Sequence, residues 1–119
     1  MRPFKSAIKT SKASYKENYA EMEKLVQELH QLLKSSQAQG TDASIARARK
    51  RGKLLARERI TMLLDKDSPF LELMPLAGLT HEGGFGPGGT TVAGIGYVNK
   101  RLCLIHANLG TRKGGAVDY

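Results

Sequence analysis

The stretch TVAGIGYVNKRLCLIHA, residues 91–107, decides the fold of this chain. Residues 91–98 predict a strand that Gly94 and Gly96 interrupt, and residues 102–107 are a continuous apolar run. Between the runs lie Asn99, Lys100 and Arg101, a short polar connection of the kind that joins antiparallel strands. The stretch therefore predicts a β-hairpin whose second strand is buried on both faces.

Loops rich in glycine flank the hairpin. Seven of the 13 glycines fall between Gly83 and Gly96, and the five at residues 83–89, with Pro87, predict a flexible loop before the first strand. After the second strand comes a loop of glycines and cations, residues 108–115, which lacks the serine or threonine of a Walker A motif after its lysine. Its cations and glycines could hold a phosphate, and the alternative is a solvent-exposed turn. The candidate residues are Arg112, Lys113, Gly114 and Gly115.

The chain before the hairpin predicts helices and one short strand. Ser14 and Glu17 have the spacing of a capping box, and apolar residues then recur at steps of four and three as far as Leu33. Thr41 or Asp42 can cap a second helix, and residues 56–64 predict a third. A turn signal at residues 67–69 precedes a predicted strand at residues 70–73.

The net charge of +8 is uneven along the 119 residues. Eight of the Lys and Arg residues lie between Asp42 and Lys66, opposed only by Asp42, Glu58 and Asp65. A basic segment of this kind can bind nucleic acid, an acidic partner surface or a ligand with phosphate groups, or it can be a solvated helix face. It has no interleaved aromatic residues, so stacking on single-stranded nucleic acid is unsupported.

Several classes of protein are excluded or disfavoured by the sequence. No apolar run approaches the roughly 18 residues of a membrane-spanning helix. The single cysteine, Cys103, forms no internal disulfide, and we expect it to be packed and inert. His30, His81 and His106 form no ligand motif, and we expect His106 to be a hydrogen-bonded core residue. No serine or zinc hydrolase motif occurs, so no catalytic residue and no metal is assigned.

A two-stranded hairpin with one apolar strand is marginally stable alone. Its edges leave N–H and C=O groups unpaired. We therefore expect that more chain follows in the working protein or that a partner supplies further strands.

Several phrases, in order, resemble the start of the carboxyltransferase (beta) subunit of biotin-dependent acyl-CoA carboxylases. The phrases are RGKLLARERI at 51–60, LLD at 63–65, SPFLEL at 68–73, the glycines at 88–89 leading to GIGYV at 94–98, and AN at 107–108 with Thr111 and KGGA at 113–116. The segment YKENY at 15–19, with LV at 25–26 and LH at 29–30, is most similar to the methylcrotonyl-CoA carboxylase branch. The resemblance covers residues 14–119. In the family's loop an aspartate follows the asparagine, whereas Leu109 occupies that position here.

The resemblance implies an α+β fold in which N-terminal helices lead into the first strands of a crotonase-like superhelix of ββα turns, left incomplete. We expect an irregular arm at residues 1–13, a helical segment at 14–66, and the start of the carboxyltransferase domain at 67–119.

The resemblance also implies transfer of a carboxyl group from carboxybiotin to an acyl-CoA, with methylcrotonyl-CoA favoured and propionyl-CoA or another acyl-CoA as alternatives. Biotin would be carried on a partner, the biotin carboxylase (alpha) subunit, and the beta subunits would form a homo-oligomer. We expect Arg112, Lys113, Gly114 and Gly115 to contact coenzyme A, and the basic helix from Arg47 to Arg59 to pack on neighbouring subunits. The chain alone is expected to be inactive.

Two other functions stay open from the sequence. One is a non-catalytic assembly module of such a complex, and the other is a basic nucleic-acid-binding protein. The predicted location is the bacterial cytoplasm. The alternative is the mitochondrial matrix, because no acidic residue precedes Glu17 and the N-terminus lacks the apolar core of a secretory signal.

Overall fold

The computed structural model describes residues 6–82 and 84–116. It divides into two compact units, Met1–Gln31 and Leu32–Tyr119. The elements are α1 (Ala13–Ser36), α2 (Asp42–Lys50), α3 (Ala56–Leu63), β1 (Phe70–Leu73), β2 (Thr91–Val98), β3 (Arg101–Asn108) and a 3₁₀ turn (Lys113–Gly115). The predicted second and third helices, the short strand and the hairpin are all confirmed. The domain boundaries proposed from the sequence stay a prediction.

Helix α1 begins at Ala13, where the carbonyl of Lys12 accepts hydrogen bonds from the N–H groups of Tyr15 and Lys16. Ser14 therefore lies inside the first turn, and the prediction that it caps the helix is wrong. The apolar residues at steps of four and three lie on one side of the helix. Five of them are at least 40% exposed, namely Tyr19, Met22, Leu25, Val26 and Leu29.

The second unit contains an antiparallel sheet with the strand order β1-β2-β3. The tight turn between β2 and β3 consists of Asn99 and Lys100, whose φ values of 50° and 62° suit the right-handed twist of a hairpin. Both oxygens of the Asp65 carboxylate hold this turn, since they accept from the N–H groups of Asn99 and Lys100 at 2.6 Å each. The Asp65 N–H donates in turn to the Tyr97 carbonyl at 2.8 Å.

The core lies between α3 and one face of the sheet. Its buried members are Ala56, Ile60, Val92, Ile105, Ala107 and Leu109. Gly94 lies beneath Phe70 on this face, and a Cβ atom there would be 2.2 Å from a ring carbon of Phe70. The glycine that interrupts the apolar run of β2 thus makes room for an aromatic side chain of β1.

The opposite face of the sheet is exposed. The register places Leu71, Ile95 and Leu104 in one row across the three strands, and Leu71 and Leu104 are 63% and 74% exposed. The prediction that the second strand is buried on both faces is therefore wrong, because α3 covers only one face. His106 is also exposed, so it is not a core residue. Cys103 packs against the core, as predicted.

Candidate functional site

A cleft of about 520 Å³ separates the connection between α2 and α3 from the loop that follows β3. A second cleft of about 320 Å³ shares several lining residues with it. We call the two together the basic cleft. The helical side of the basic cleft carries Arg47, Arg51, Lys53 and Arg59, and the loop side carries Gly110, Thr111, Lys113, Gly114 and Gly115. The basic segment and the loop of glycines and cations after β3, which are far apart in sequence, are two walls of one cleft.

The helical wall results from a break in the basic segment. Helix α2 is capped by Thr41, whose hydroxyl accepts from the Ser44 N–H at 3.2 Å, and the helix ends at Lys50. Gly52 then turns the chain at a φ of 68° before α3 begins. The prediction of one basic helix from Arg47 to Arg59 is therefore wrong. The turn places Arg51 and Lys53 at the cleft.

The charge of the basic cleft is positive. Among the described residues that line it, none is Asp or Glu. The nearby carboxylates are engaged by other arginines. Glu58 accepts from Arg49 at 2.7 Å, and both oxygens of Glu72 accept from Arg57 at 2.7 Å. The cations on its helical wall therefore favour an anion in the cleft.

The loop wall is compact. The Gly115 N–H donates to the Arg112 carbonyl at 2.8 Å, and the Asn108 side chain donates to the Gly115 carbonyl at 2.7 Å. Lys113, Gly114 and Gly115 have φ values of 45°, 66° and 90°, so three successive residues occupy the left-handed region. Two glycines reduce the strain of this conformation and let a ligand approach the backbone closely.

Three of the four predicted site residues line the basic cleft, and Arg112 is not among its lining residues. Gly114 and Gly115 line the larger cleft, and Lys113 lines the smaller one. Arg112 is only 8% exposed, and its guanidinium donates to backbone carbonyls of Ala38, Pro87 and Gly89. Burial lowers the pKa of the Arg112 guanidinium. The assignment of all four residues to coenzyme A stays a prediction.

Arg51, Lys53 and Arg59 were not predicted as members of this site. The run of eight cations indicated a segment that could bind an anion, but it does not tell which of its side chains face the loop. Within the described ranges there is no cluster of metal-ligating side chains. No described helix has the length and apolar character needed to cross a membrane.

Comparison with known proteins gives consistent results. The carboxyl transferase domain matches residues 47–119, which include both walls of the cleft. A probable mitochondrial methylcrotonoyl-CoA carboxylase beta chain of Drosophila melanogaster is 47% identical over 113 residues, covering 93% of this chain and 19% of that protein. A biotin-dependent 3-methylcrotonyl-coenzyme A carboxylase beta1 subunit of Mycobacterium tuberculosis is 46% identical over 95 residues, covering 80% of this chain and 18% of that protein.

Solved structures show the same relationship. The beta subunit of geranyl-CoA carboxylase from P. aeruginosa superposes with a TM-score of 0.72 and 34% identity, covering 97% of this chain and 22% of that one. The transcarboxylase 12S structure gives 0.68 and 26%, covering 80% of this chain and 19% of that one. The chain therefore spans about a fifth of the length of these relatives. The predicted resemblance is confirmed, as is a mixed fold of helices and a small sheet. The chain belongs to the carboxyl transferase domain family.

Proposed function

We propose that this chain is part of a carboxyltransferase that moves a carboxyl group from carboxybiotin to an acyl-CoA. The observation that carries the proposal is the match of the carboxyl transferase domain to residues 47–119. Relatives named as beta chains of biotin-dependent carboxylases support it. We extend the proposal to the fold, in which the helices and sheet begin a crotonase-like superhelix.

The proposed reaction requires an enolate at the carbon that receives the carboxyl group. Preorganised backbone N–H donors stabilise the charge that develops on the thioester oxygen. None of the described residues is assigned that role, and none is assigned to biotin, which a partner would carry. The contribution proposed for this chain is binding of the coenzyme A portion of the substrate.

The basic cleft supports that contribution. Coenzyme A carries a diphosphate and a further phosphate, and cations beside glycines that permit close approach to the backbone suit such a ligand. We propose that Lys113, Gly114 and Gly115 contact it from the loop wall. Arg51 and Arg59 face the same space from the helical wall.

We propose methylcrotonyl-CoA as the substrate, because several relatives bear that name. The solved relatives named for geranyl-CoA and crystallised with methylmalonyl-coenzyme A make other acyl-CoA substrates the alternative. The proposed partners are a biotin-carrying alpha subunit and further beta subunits, since one relative is described as a hexamer. The bacterial cytoplasm is the proposed location, with the mitochondrial matrix as the alternative because some relatives are named mitochondrial.

Binding of coenzyme A tests the proposal. Titration calorimetry of the chain with coenzyme A is expected to give saturable binding without turnover. The double variant Arg51→Met with Lys53→Met should weaken binding about a hundredfold or more, because two charge-assisted contacts of about 1.5 kcal/mol each are lost. The control Arg101→Met removes one positive charge at the hairpin end of β3, away from the cleft, and should bind normally. Absence of binding by the unaltered chain would contradict the proposal.

One observation favours a second candidate, a non-catalytic assembly module. The row of the exposed Leu71 and Leu104 with the half-buried Ile95 between them is the kind of apolar surface that marks a protein–protein contact. A chain that binds no coenzyme A but forms a stable complex with a full-length beta subunit would favour this candidate. The nucleic-acid alternative has only the charge of the basic segment in its support.

A further inference from the structure

Arg112 is a buried cation whose described side-chain hydrogen bonds go to backbone carbonyls. Its guanidinium donates to the carbonyl of Ala38 at 2.7 Å, to that of Pro87 at 3.4 Å, and to that of Gly89. Burying a charge is unfavourable by several kcal/mol unless hydrogen bonds compensate it. Since the described hydrogen bonds of this guanidinium all go to backbone carbonyls, the side chain joins the backbone segments to which those carbonyls belong.

The acceptors belong to segments far from Arg112 in sequence. Ala38 lies in the linker between α1 and α2, and Pro87 and Gly89 lie in the glycine loop before β2. The neighbouring Thr111 hydroxyl donates to the Gln39 carbonyl of the same linker. A guanidinium presents five donors in a fixed plane and can hold several acceptors at once, whereas an ammonium offers a single head group. The loop after β3 is thus tied to two other backbone segments through one side chain.

Arg112 also starts the turn that carries three predicted ligand contacts. Its N–H donates to the Leu109 carbonyl and its carbonyl accepts from the Gly115 N–H, both at 2.8 Å. Lys113 then enters the left-handed region, as a non-glycine residue does only when its surroundings impose that conformation. Because hydrogen bonds hold its side chain, Arg112 fixes the position at which this strained turn begins.

We propose that Arg112 is a positioning residue for the basic cleft. Its guanidinium sets where Lys113, Gly114 and Gly115 face the ligand, and it does not touch a phosphate itself. The inference rests on the proposed function, because it takes coenzyme A as the occupant of the cleft. It separates Arg112 from the other predicted contact residues by role.

The test compares Arg112→Lys and Arg112→Met with Arg59→Met, which removes a cation that lines the cleft, and with the distant control Arg101→Met. Affinity for coenzyme A is measured by calorimetry over a series of salt concentrations. Arg112→Lys keeps the charge but loses the planar set of donors of the guanidinium. This variant should bind coenzyme A about tenfold more weakly. Its slope of log affinity against log salt should equal that of the unaltered chain, whereas the slope should be shallower in Arg59→Met, which lacks a cation that lines the cleft.

Wild-type affinity in Arg112→Lys would overturn the inference, and so would a slope that falls in Arg112→Met as it does in Arg59→Met. If Arg112→Met does not fold, Arg112→Lys alone decides. A second readout needs no ligand. The amide resonances of Gly114 and Gly115 should shift in Arg112→Lys, while those of the turn at Asn99 and Lys100 stay in place. Unshifted loop amides would also overturn the inference. Failure of the unaltered chain to bind coenzyme A would refute the proposed function and leave this amide test standing.

Discussion

The β2–β3 hairpin and the basic cleft are held together in different ways. The hairpin is closed by backbone hydrogen bonds between two strands that follow one another in sequence, and Asp65 fixes its turn. The cleft is held by side chains that reach across 72 to 74 residues, from Thr111 and Arg112 to the linker at Gln39 and Ala38. The hairpin therefore depends mainly on pairing between neighbouring strands, whereas the shape of the site depends on contacts between segments distant in sequence.

The largest expected effect lies under the hairpin, at Gly94. A methyl group there would be 2.2 Å from the Phe70 ring and 2.7 Å from the Leu71 carbonyl oxygen, and the backbone cannot move away without breaking the sheet. Gly94→Ala should lower the free energy of unfolding by about 3 kcal/mol, measured by urea denaturation.

Gly110→Ala is the matched control for this substitution, since a Cβ atom at Gly110 meets nothing within 4 Å. It should leave the free energy of unfolding nearly unchanged. Equal effects of the two substitutions would mean that the hairpin is not the more rigid region.

The second effect concerns the turn of the hairpin. Asp65→Asn replaces one of the two oxygens that accept from Asn99 and Lys100 with an N–H donor. The unfolding free energy should fall by about 1–2 kcal/mol in the same denaturation assay. The neighbouring Asp67→Asn keeps a residue that tolerates the left-handed φ of 59° and should change little. A loss in Asp67→Asn as large as that in Asp65→Asn would contradict this account.

The smallest effect on the free energy of unfolding is expected at the ion pair between Arg49 of α2 and Glu58 of α3. The hydrogen bond from Arg49, and then that from the Leu55 N–H, hold the pKa of Glu58 below its ordinary value of 4.5. Because the pKa is lower in the folded state, the stabilisation is present above the unfolded pKa and is lost as pH falls through the folded value.

The difference in unfolding free energy between the unaltered chain and Glu58→Gln should therefore be small at neutral pH. It should shrink below pH 4.5 and also shrink with added salt, because the pair is exposed. A difference independent of pH would show that the charge of the Glu58 carboxylate contributes nothing to the free energy of unfolding.

The same contrast explains what the sequence could predict. The bounds of β2 and α3 were predicted to within a residue, because a glycine-interrupted strand, a polar turn and a helical apolar face are local patterns. The exposure of Leu104 was not predicted. An apolar run indicates a strand but does not tell whether α3 alone covers it.

The candidate site could be predicted only in part. The glycines and Lys113 were predicted as ligand contacts because they are consecutive in sequence, and they line the basic cleft. Arg112 was assigned the same role because adjacency in sequence does not tell which way a side chain turns. Its partners, Ala38 and Gly89, carry no recognisable signal, since it is their carbonyl groups that accept.

The use of backbone carbonyls as acceptors affects how freely the linker can change in evolution. The bonds from Arg112 and Thr111 end on main-chain oxygens, which every amino acid supplies. The linker at Ala38 and Gln39 can therefore exchange its side chains without loosening its bonds to Arg112 and Thr111, provided that its backbone path is kept. Paired substitutions between the linker and the loop are not required, and the link between them can persist through sequence divergence without leaving a covariation signal.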